Sequence, residues 1–364
     1  MAAAESDSLI SFIASMSGEG NLRVEENLGE GFVRLRVSEA ERRQAKHDIQ
    51  HVEDIVIELL RNARDAGAKN VYVATTTDEG VRTLVVLDDG CGIPADMHER
   101  IFEARVTSKL ETMSQDRWGI HGRGMALFSI RQSARTAEVV SSDVGLGSSF
   151  RVVVDTASLD ERADQSTWPT VEKQDDGSYA CVRGPHNIVR SVCEFALEEL
   201  DTLNVYLGSP AEIAATLYKQ ASGSLDASQL LFLDSEDAVP VVDRLGFASD
   251  AADFMRIAAS IGIDLSERTA HRILAGSIKP QRTVRSRILR ERVRKPAAQA
   301  EVDLSRDPRG LKIASEDLEA FSRALERDFG QIAEGYYLYL KDEPRIKVGR
   351  DTITVTFEVG KEEC

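Results

Sequence analysis

Three polar side chains fall at helical spacing in the stretch Glu58–Ala68. Glu58, Asn62 and Asp65 stand at positions i, i+4 and i+7, beside an apolar series of helical period that begins at Val52. They form a second stripe, roughly 100° around the helix from the apolar centre. An amide oxygen beside carboxylates suits a hard cation such as Mg²⁺, and a carboxylate one turn away can orient an attacking water. The alternative is an amphipathic helix whose polar side is simply hydrated.

A further carboxylate follows the next apolar run. Thr83–Leu87 is short and apolar enough for a buried strand, and Asp88 stands at its end. Gly90 and Gly92 permit close approaches that a Cβ atom would block. A carboxylate in this place can accept a hydrogen bond from the exocyclic amine of a base. The alternative is a plain turn, since Asp-Gly is a common turn pair.

Two glycine-containing segments complete the pattern. Gly119–Gly124 (Gly-Ile-His-Gly-Arg-Gly) runs into a predicted apolar helix, Met125–Ile130. Bare backbone amides at the start of a helix hold phosphate oxygens well. The last segment is Gly147–Phe150 (Gly-Ser-Ser-Phe). Together, in this order, the four segments describe a nucleotide site.

The four segments resemble the GHKL superfamily, which comprises type II topoisomerases, ninety-kilodalton heat-shock chaperones, histidine kinases and mismatch-repair ATPases. The resemblance covers roughly residues 20–155. The segments that carry it are the asparagine box (Glu58 and Asn62), the first glycine box (Asp88-x-Gly90-x-Gly92), the second (Gly122-x-Gly124), the last box (Gly147–Phe150), and the segment before the lid (Ile101–Glu103 and Thr107–Lys109). Asp65-Ala-Gly resembles the topoisomerase and mismatch-repair branch and Ile101–Glu103 the histidine kinases, so the branch stays open.

The resemblance implies an ATP-binding domain that uses Mg²⁺. In the family, the residue at Glu58 activates water, the residue at Asn62 binds magnesium, and the residue at Asp88 binds the adenine amine. The other residues that it implies at the nucleotide are Asp65, Gly90, Gly92, Ile93, Lys109, Gly119, His121, Gly122, Arg123, Gly124, Met125, and Ser148 or Ser149.

The elements that must position these residues predict an α+β fold. Residues 1–157 are expected to form a GHKL-type sandwich, a mixed sheet with helices on one face. Its predicted parts are a short helix within 1–20, a strand at Phe32–Val37, a capping box at Ser38–Glu41, a helix C-cap at Gly67, a hairpin of Val71–Thr77 and Arg82–Leu87 turned at Asp78–Gly80, a lid at 104–124, and strands at Glu138–Ser142 and Phe150–Asp155.

Four further segments are predicted. They are a linker (158–178), a small α/β module (179–222) with a strand at Leu203–Leu207, a helical, helix-turn-helix-like basic segment (223–300), and a C-terminal helix and β-hairpin (301–364). In the last segment the helix is expected at Ser315–Ala333, and the hairpin from Tyr336–Leu340 and Thr352–Val359.

The helix-turn-helix-like pattern places Ile257–Gly262 before Ser266–Leu274. From Arg268 to Lys295 there are ten basic residues and one acidic residue, Glu291. We expect Arg268–Lys295 to contact nucleic acid, with Arg268, Arg272, Arg282 and Arg285 reaching phosphates. The alternatives are an acidic protein partner, the acidic ATPase domain itself, and a small helical bundle that packs on that domain.

Composition limits the other possibilities. The net charge of the 364-residue chain is −16, so its average surface repels nucleic acid and anionic membranes. The first residues lack a basic n-region, and no apolar run approaches the ~20 residues of a membrane span. Four scattered cysteines (Cys91, Cys181, Cys193 and Cys364) predict free thiols in a reducing cytoplasm.

The sequence thus predicts a cytoplasmic, Mg-dependent ATP-binding protein, a slow ATPase that acts as a conformational switch, with nucleic acid, a protein partner and a homodimer as candidate assemblies. One alternative is a soluble, histidine-kinase-like signalling protein. His47 and His51 lie too close to the asparagine box to leave room for a phosphoacceptor helix pair. The other alternative is a nucleotide-gated DNA-binding regulator without significant hydrolysis.

Overall fold

The computed structural model describes residues 24–108, 114–121, 124–224, 236–289, 313, 315–349 and 352–361. The chain divides into two compact units, residues 1–290 and 291–364. The helix predicted within residues 1–20 lies outside the described residues. Within the described ranges, no helix is long and apolar enough to cross a membrane.

The first unit contains helices on both sides of a central sheet. Its described helices are α1 Glu39–Asp48, α2 Val52–Asp65, α3 Ala126–Ser133, α4 Ile188–Glu198, α5 Pro210–Ser224, α6 Ala251–Ser260, α7 Glu267–Leu274 and α8 Val284–Ile288. Its strands are β1 Val24–Gly29, β2 Phe32–Leu35, β3 Asn70–Asp78, β4 Val81–Asp88, β5 Val106–Thr107, β6 Ser114–Asp116, β7 Gly119–His121, β8 Thr136–Ser142, β9 Ser148–Asp155, β10 Thr170–Lys173, β11 Tyr179–Arg183 and β12 Asn204–Gly208.

Five strands form the main sheet, in the order β12-β3-β4-β9-β8. A tight turn joins β3 to β4, and its residues Glu79 and Gly80 both have positive φ, which confirms the predicted hairpin. β4 pairs antiparallel with β9, and β9 with β8, whereas β12 runs parallel to β3. The sheet is mixed, and the fold is α+β as predicted.

Helices α1 and α2 both begin with a capping box. At α1 the Glu41 carboxylate accepts the Ser38 backbone N–H at 2.8 Å, as predicted. At α2 the Asp54 carboxylate accepts the His51 backbone N–H at 2.9 Å. Helix α2 ends at Asp65 with Ala66 as its C-cap, so Gly67, the predicted C-cap, lies one residue later, and its φ of +73° is typical of the glycine that follows a helix. Its long apolar face packs on the sheet with α3 and α4.

The opposite face of the sheet is covered by a second layer, α5, α6 and α7. Tyr72 of β3 and Tyr206 of β12 are paired in register and stack at 4.8 Å between ring centroids. They share a buried core with Phe254 of α6 and Ile273 of α7. The two helices of the helix-turn-helix-like pattern are therefore present, and they pack on the sheet of the ATPase-like part, as one of the alternatives predicted.

Residues 158–222 also contribute to the first unit. The segment expected to be a linker contains β10, which pairs antiparallel with β11. The strand expected at Leu203–Leu207 is β12, an edge strand of the main sheet. Helix α4 packs against α2 on one face of the sheet, while α5 lies on the other. The sheet thus extends beyond residue 178 into the segment that was expected to form a separate module.

The described residues of the second unit form a helix and two strand pairs. Its elements are α9 Ser315–Ala333, β13 Leu338–Leu340, β14 Arg345–Val348, β15 Ile353–Thr356 and β16 Val359–Lys361. The helix has the predicted bounds, and strand pairs follow it as predicted. The predicted strand Thr352–Val359 is divided, however: β15 pairs with β14, and β16, which begins at Val359, pairs with β13. β14 alternates charged and apolar side chains, which is a strand pattern, and it pairs with the next strand, β15. This short hairpin lies between β13 and β16 in the chain.

Candidate nucleotide site

A cavity of about 340 Å³ lies on the α2 side of the sheet. It is bounded by α2, the end of β4, the start of β9, the start of α3 and the backbone around β5. The predicted residues that it brings together are Glu58, Asn62, Asp65, Asp88, Gly92, Ile93, Gly124, Met125 and Ser148. All four sequence segments therefore converge on one cavity.

Asp88 is the buried carboxylate of this cavity. It ends strand β4 and is 2% exposed, and the Gly90 N–H donates to its Oδ1 at 2.8 Å. Burial raises the pKa of Asp88 to about 7, and the neighbouring charge of Asp89 adds to the effect. A ligand that donates a hydrogen bond to this carboxylate would favour its ionised form, as the predicted role at an exocyclic amine requires.

Three glycines let the loops close tightly around Asp88. A Cβ atom on Gly90 would lie 2.8 Å from the Cβ of Ala66. On Gly92 it would lie 1.8 Å from the carbonyl oxygen of Asp143, and on Gly147 it would lie 2.1 Å from that of Asp88. Gly92 and Gly147 also have positive φ, of +72° and +73°. These glycines are needed for the backbone packing that shapes the cavity. This requirement comes in addition to their predicted role in the close approach of a base.

Ser142, which the sequence analysis did not identify, connects two of these loops. Its Oγ accepts the Ile93 N–H at 2.8 Å and lies 2.8 Å from the Gly147 carbonyl oxygen, to which it donates. It also lies 3.2 Å from Ser148 Oγ. A polar side chain at the buried end of the predicted strand Glu138–Ser142 was the available signal.

Asn62 and Glu58 stand one turn apart on α2. The Asn62 side-chain nitrogen is buried without a hydrogen-bond partner in the described residues. Such a group suits a polar ligand in the cavity, since buried polar atoms are normally hydrogen-bonded. Burial raises the pKa of Glu58, and the Arg61 guanidinium, 2.5 Å away, opposes that shift. The amide and carboxylate oxygens form a donor set that fits Mg²⁺ shared with phosphates.

Arg61 and Trp118 also line the cavity, although neither was predicted from the sequence. Arg61 is buried in α2, and its guanidinium lies 5.8 Å from the centre of the Trp118 ring. An arginine inside the apolar face of a helix, three residues after an acid, was the signal that could have indicated it. Asp65 lies at the cavity with its carboxylate 3.5 Å from Arg64.

Ser148 and Ser149 point to opposite faces of the sheet. Ser148 lines the cavity, whereas the fully buried Ser149 donates to the carbonyl oxygen of Ile261 at 2.7 Å in the helical layer. Successive side chains of a strand alternate between faces, so only one of two adjacent serines can reach the nucleotide. The prediction left both open, and the structure places Ser149 away from the cavity.

The predicted phosphate segment is described only in part. Lys109, Gly122 and Arg123 lie outside the described residues, and Gly119 and His121 are described only as backbone of β7. Gly124 and Met125 line the cavity immediately before α3. The φ of Gly124 is +66°, and its carbonyl oxygen accepts the Arg105 N–H at 2.8 Å. The amides that begin α3 suit phosphate oxygens.

The fold and the cavity are typical of an ATP-binding domain, and the family that this part of the chain matches has the same character. Residues 47–158 match the family described as "Histidine kinase-, DNA gyrase B-, and HSP90-like ATPase". This part of the chain therefore carries an ATP-binding domain of the GHKL superfamily, as predicted.

Similar curated proteins come from DNA mismatch repair. DNA mismatch repair protein MutL of Thermus thermophilus is 45% identical over 84 residues, which is 23% of this chain and 15% of that protein. MutL of Azotobacter vinelandii is 32% identical over 123 residues, 33% of this chain and 19% of that protein. The match thus spans less than a fifth of either relative.

A solved structure, the crystal structure of full-length ShkA in complex with AMPPNP, has a TM-score of 0.23 and 18% sequence identity. It covers 55% of this chain and 37% of that chain. A likeness at this score supports no argument about function.

Proposed function

We propose that the chain binds Mg-ATP in this cavity and hydrolyses it slowly, so that the bound nucleotide switches its conformation. The observation that carries the proposal is one cavity that contains the buried Asp88 carboxylate and the Asn62 amide, whose nitrogen has no partner among the described residues. A largely apolar cavity with a few convergent polar groups and a perturbed pKa is typical of a ligand site.

Each polar group has a distinct role in the proposal. Asp88 accepts a hydrogen bond from the exocyclic amine of adenine, which favours the ionised carboxylate. The backbone at Gly124 and the start of α3 receives the phosphates. Asn62 would hold Mg²⁺ through its amide oxygen, and the ion would supply positive charge beside the phosphates. Glu58, one turn away on the same helix, accepts a proton from the water that attacks the γ-phosphorus of ATP. The bond from that phosphorus to the bridging oxygen breaks, and ADP leaves with that oxygen.

We propose that turnover is slow, and that the change of conformation that follows ATP binding and hydrolysis acts on a nucleic acid or a protein partner. The relatives are named for DNA mismatch repair, but the matches span only 15% and 19% of those proteins. We therefore propose that the chain forms a cytoplasmic homodimer and that its nucleotide switch acts on nucleic acid. Light scattering with and without ATP tests the dimer.

One surface supports nucleic acid as the partner. Arg268, Arg272, Lys279 and Arg282 are exposed on and after α7, and none forms an ion pair with another described residue. Unpaired, exposed cations are available to phosphates. Arg285, the fourth arginine predicted to reach phosphates, is also exposed, but its guanidinium already donates to the Leu200 carbonyl oxygen at 2.5 Å.

The direct test is ATP hydrolysis by the full chain, measured with and without duplex DNA. We expect slow, Mg-dependent release of phosphate. Chelation of the metal should abolish this release, and duplex DNA should alter its rate. Calorimetry on the same samples measures binding separately. Binding without any hydrolysis would favour the nucleotide-gated regulator, and no binding would refute the assignment of the cavity.

A further inference from the structure

Arg61 bridges two carboxylates in the wall of the cavity. Its side chain is 4% exposed, and its Nη1 lies 2.5 Å from Glu58 Oε1. On its other edge, Nε donates to Asp116 Oδ2 at 2.9 Å, and Nη2 pairs with Asp116 Oδ1. The planar fork of a guanidinium binds a carboxylate at two points in a fixed geometry. The Arg61 side chain is therefore fixed by Asp116 on one side and contacts Glu58 on the other.

Asp116 is the last residue of strand β6, and contacts of residues 116–118 hold this part of the β6–β7 hairpin. The Trp118 N–H donates to Asp116 Oδ1 at 3.0 Å, and the Asp116 side chain is only 6% exposed. The Trp118 ring lies 5.9 Å from the Phe195 ring of α4, and Arg117 pairs with Glu194 at 3.3 Å. Helix α4 lies beyond the matched residues 47–158. A part of the chain outside the matched domain thus holds the carboxylate that orients Arg61.

We propose that Arg61 is a positioning residue for ATP hydrolysis, which holds the Glu58 carboxylate in place and makes that placement depend on Asp116. The proposal rests on the proposed function, in which Glu58 accepts the proton of the attacking water. Arg61 engages only Oε1, and Oε2 forms no hydrogen bond with a described residue, so Oε2 is the oxygen that meets the water. Without Arg61, the Glu58 side chain would rotate among several rotamers.

Substitution of Arg61 should therefore affect turnover more than binding. In Arg61→Ala, kcat for ATP should fall roughly 10–100-fold, since a misplacement of about 1 Å in a catalytic group has costs of that order. KM and calorimetric affinity should stay near the parental values. Arg61→Lys keeps a cation near Glu58 without the fork, and it should recover part of the lost kcat.

Two further variants separate positioning from general loosening. Asp116→Asn should lower kcat less than Arg61→Ala, and the double variant should be no slower than Arg61→Ala alone, because Asp116 acts through Arg61. Arg82→Ala is the matched control: Arg82 is also buried and binds a carboxylate at two points, that of Glu161 at 2.7 and 2.9 Å, but it does not line the cavity and forms no ion pair with Glu58 or Asp116. It should lower kcat much less than Arg61→Ala.

The outcomes are distinguishable. An unchanged or increased kcat in Arg61→Ala overturns the inference, as does an equal loss in Arg82→Ala or an additive loss in the double variant. If Glu58→Ala hydrolyses ATP at the parental rate, the proposed function fails instead. Thermal unfolding shows which variants are folded. Should Arg61→Ala not fold, Arg61→Lys and Asp116→Asn decide by their kcat, which must fall at unchanged KM.

Discussion

The two faces of the main sheet differ in how completely their polar groups are satisfied. On the cavity face, Asp88 is buried with a pKa of about 7, the Asn62 nitrogen lacks a partner among the described residues, and Gly92 and Gly147 adopt positive φ. On the helical face, the Tyr72 hydroxyl donates to the Gln220 side chain, and the buried Ser149 hydroxyl donates to the Ile261 carbonyl oxygen at 2.7 Å. The same sheet thus combines an unsatisfied, ligand-ready side with a satisfied, stabilising one.

The difference teaches where function can be sought in this chain. Unpaired buried groups lower stability, so they persist where a ligand completes them. The helical face gives the sheet a second hydrophobic layer and needs no ligand. Substitutions on the cavity face should therefore change ATP binding or hydrolysis, while those on the helical face should change stability or the partner surface.

The largest expected effect is on hydrolysis. Glu58→Ala should keep nucleotide binding and lower the hydrolysis rate by ~10²–10⁴-fold, the usual contribution of a general base. Phosphate release under saturating ATP measures the rate, and calorimetry measures the binding. Glu53→Gln is the control, because Glu53 lies on the same helix but accepts from the Gln165 side chain at 2.7 Å, outside the cavity. Parental hydrolysis by Glu58→Ala would place the base elsewhere.

The second effect is on the pH dependence of stability. The pKa of Asp88 in the folded protein, about 7, lies above its ordinary value of 3.8, so the folded protein holds the carboxyl proton more tightly than the unfolded chain does. The resulting stabilisation is complete below pH ~4 and is lost as pH rises to and beyond the folded pKa; it amounts to on the order of 4 kcal/mol at most. Asp88→Asn removes this pH-dependent stabilisation, because an amide does not titrate. Urea unfolding at pH 5 and pH 8 should show a smaller pH dependence for the variant, and parallel curves would contradict the prediction.

The third effect is on affinity. Asp88→Asn should weaken ATP binding by about 10–150-fold, since losing one buried, charge-assisted hydrogen bond costs roughly 1.5–3 kcal/mol. Calorimetry at constant Mg²⁺ provides the measurement. Asp89→Asn is the matched control, because Asp89 accepts the Lys69 and Asn70 N–H groups at 2.6 and 2.8 Å and does not line the cavity. Equal affinities for the Asp88 variant and the parental protein would remove Asp88 from the site.

Much of the cavity face could be predicted, because its signals are local. The stripe Glu58, Asn62 and Asp65, the strand ending at Asp88, and the hairpin before it each follow from spacing within about ten residues. The choice between Ser148 and Ser149 could not be made, since a shift of one residue in register exchanges the two faces of a strand.

The helical face could not be derived in the same way. The parallel pairing of β12 with β3 joins residues 204–208 to residues 70–74, and no local pattern specifies a partner so distant in the chain. The bridge between Arg61 and Asp116 spans 55 residues and has the same difficulty. In both cases the local pattern gives the element but not the surface on which it packs.

The fourth effect concerns the basic surface on the helical side. If about four phosphates are neutralised, log affinity for duplex DNA should fall with log salt at a slope near −3.6, since each contact contributes about −0.9. Arg282→Glu should flatten the slope by roughly one contact and weaken binding to all sequences alike. Arg285→Glu is the comparison, because Arg285 already contacts Leu200 and Asp201. No gel shift at low salt with micromolar protein, with and without ATP, would refute the surface.

The smallest effect tests the comparison on adjacent residues of one strand. Ser149→Ala removes the hydrogen bond to the Ile261 carbonyl oxygen, so it should lower the free energy of unfolding by about 1 kcal/mol without changing ATP affinity. Ser148→Ala should do the reverse, weakening ATP binding slightly while leaving stability nearly unchanged, because Ser148 lines the cavity. The two substitutions delete the same atom one residue apart, so each is the control for the other. If both variants lose affinity equally, the faces are coupled through β9, and the helical layer would have to be included in the nucleotide switch.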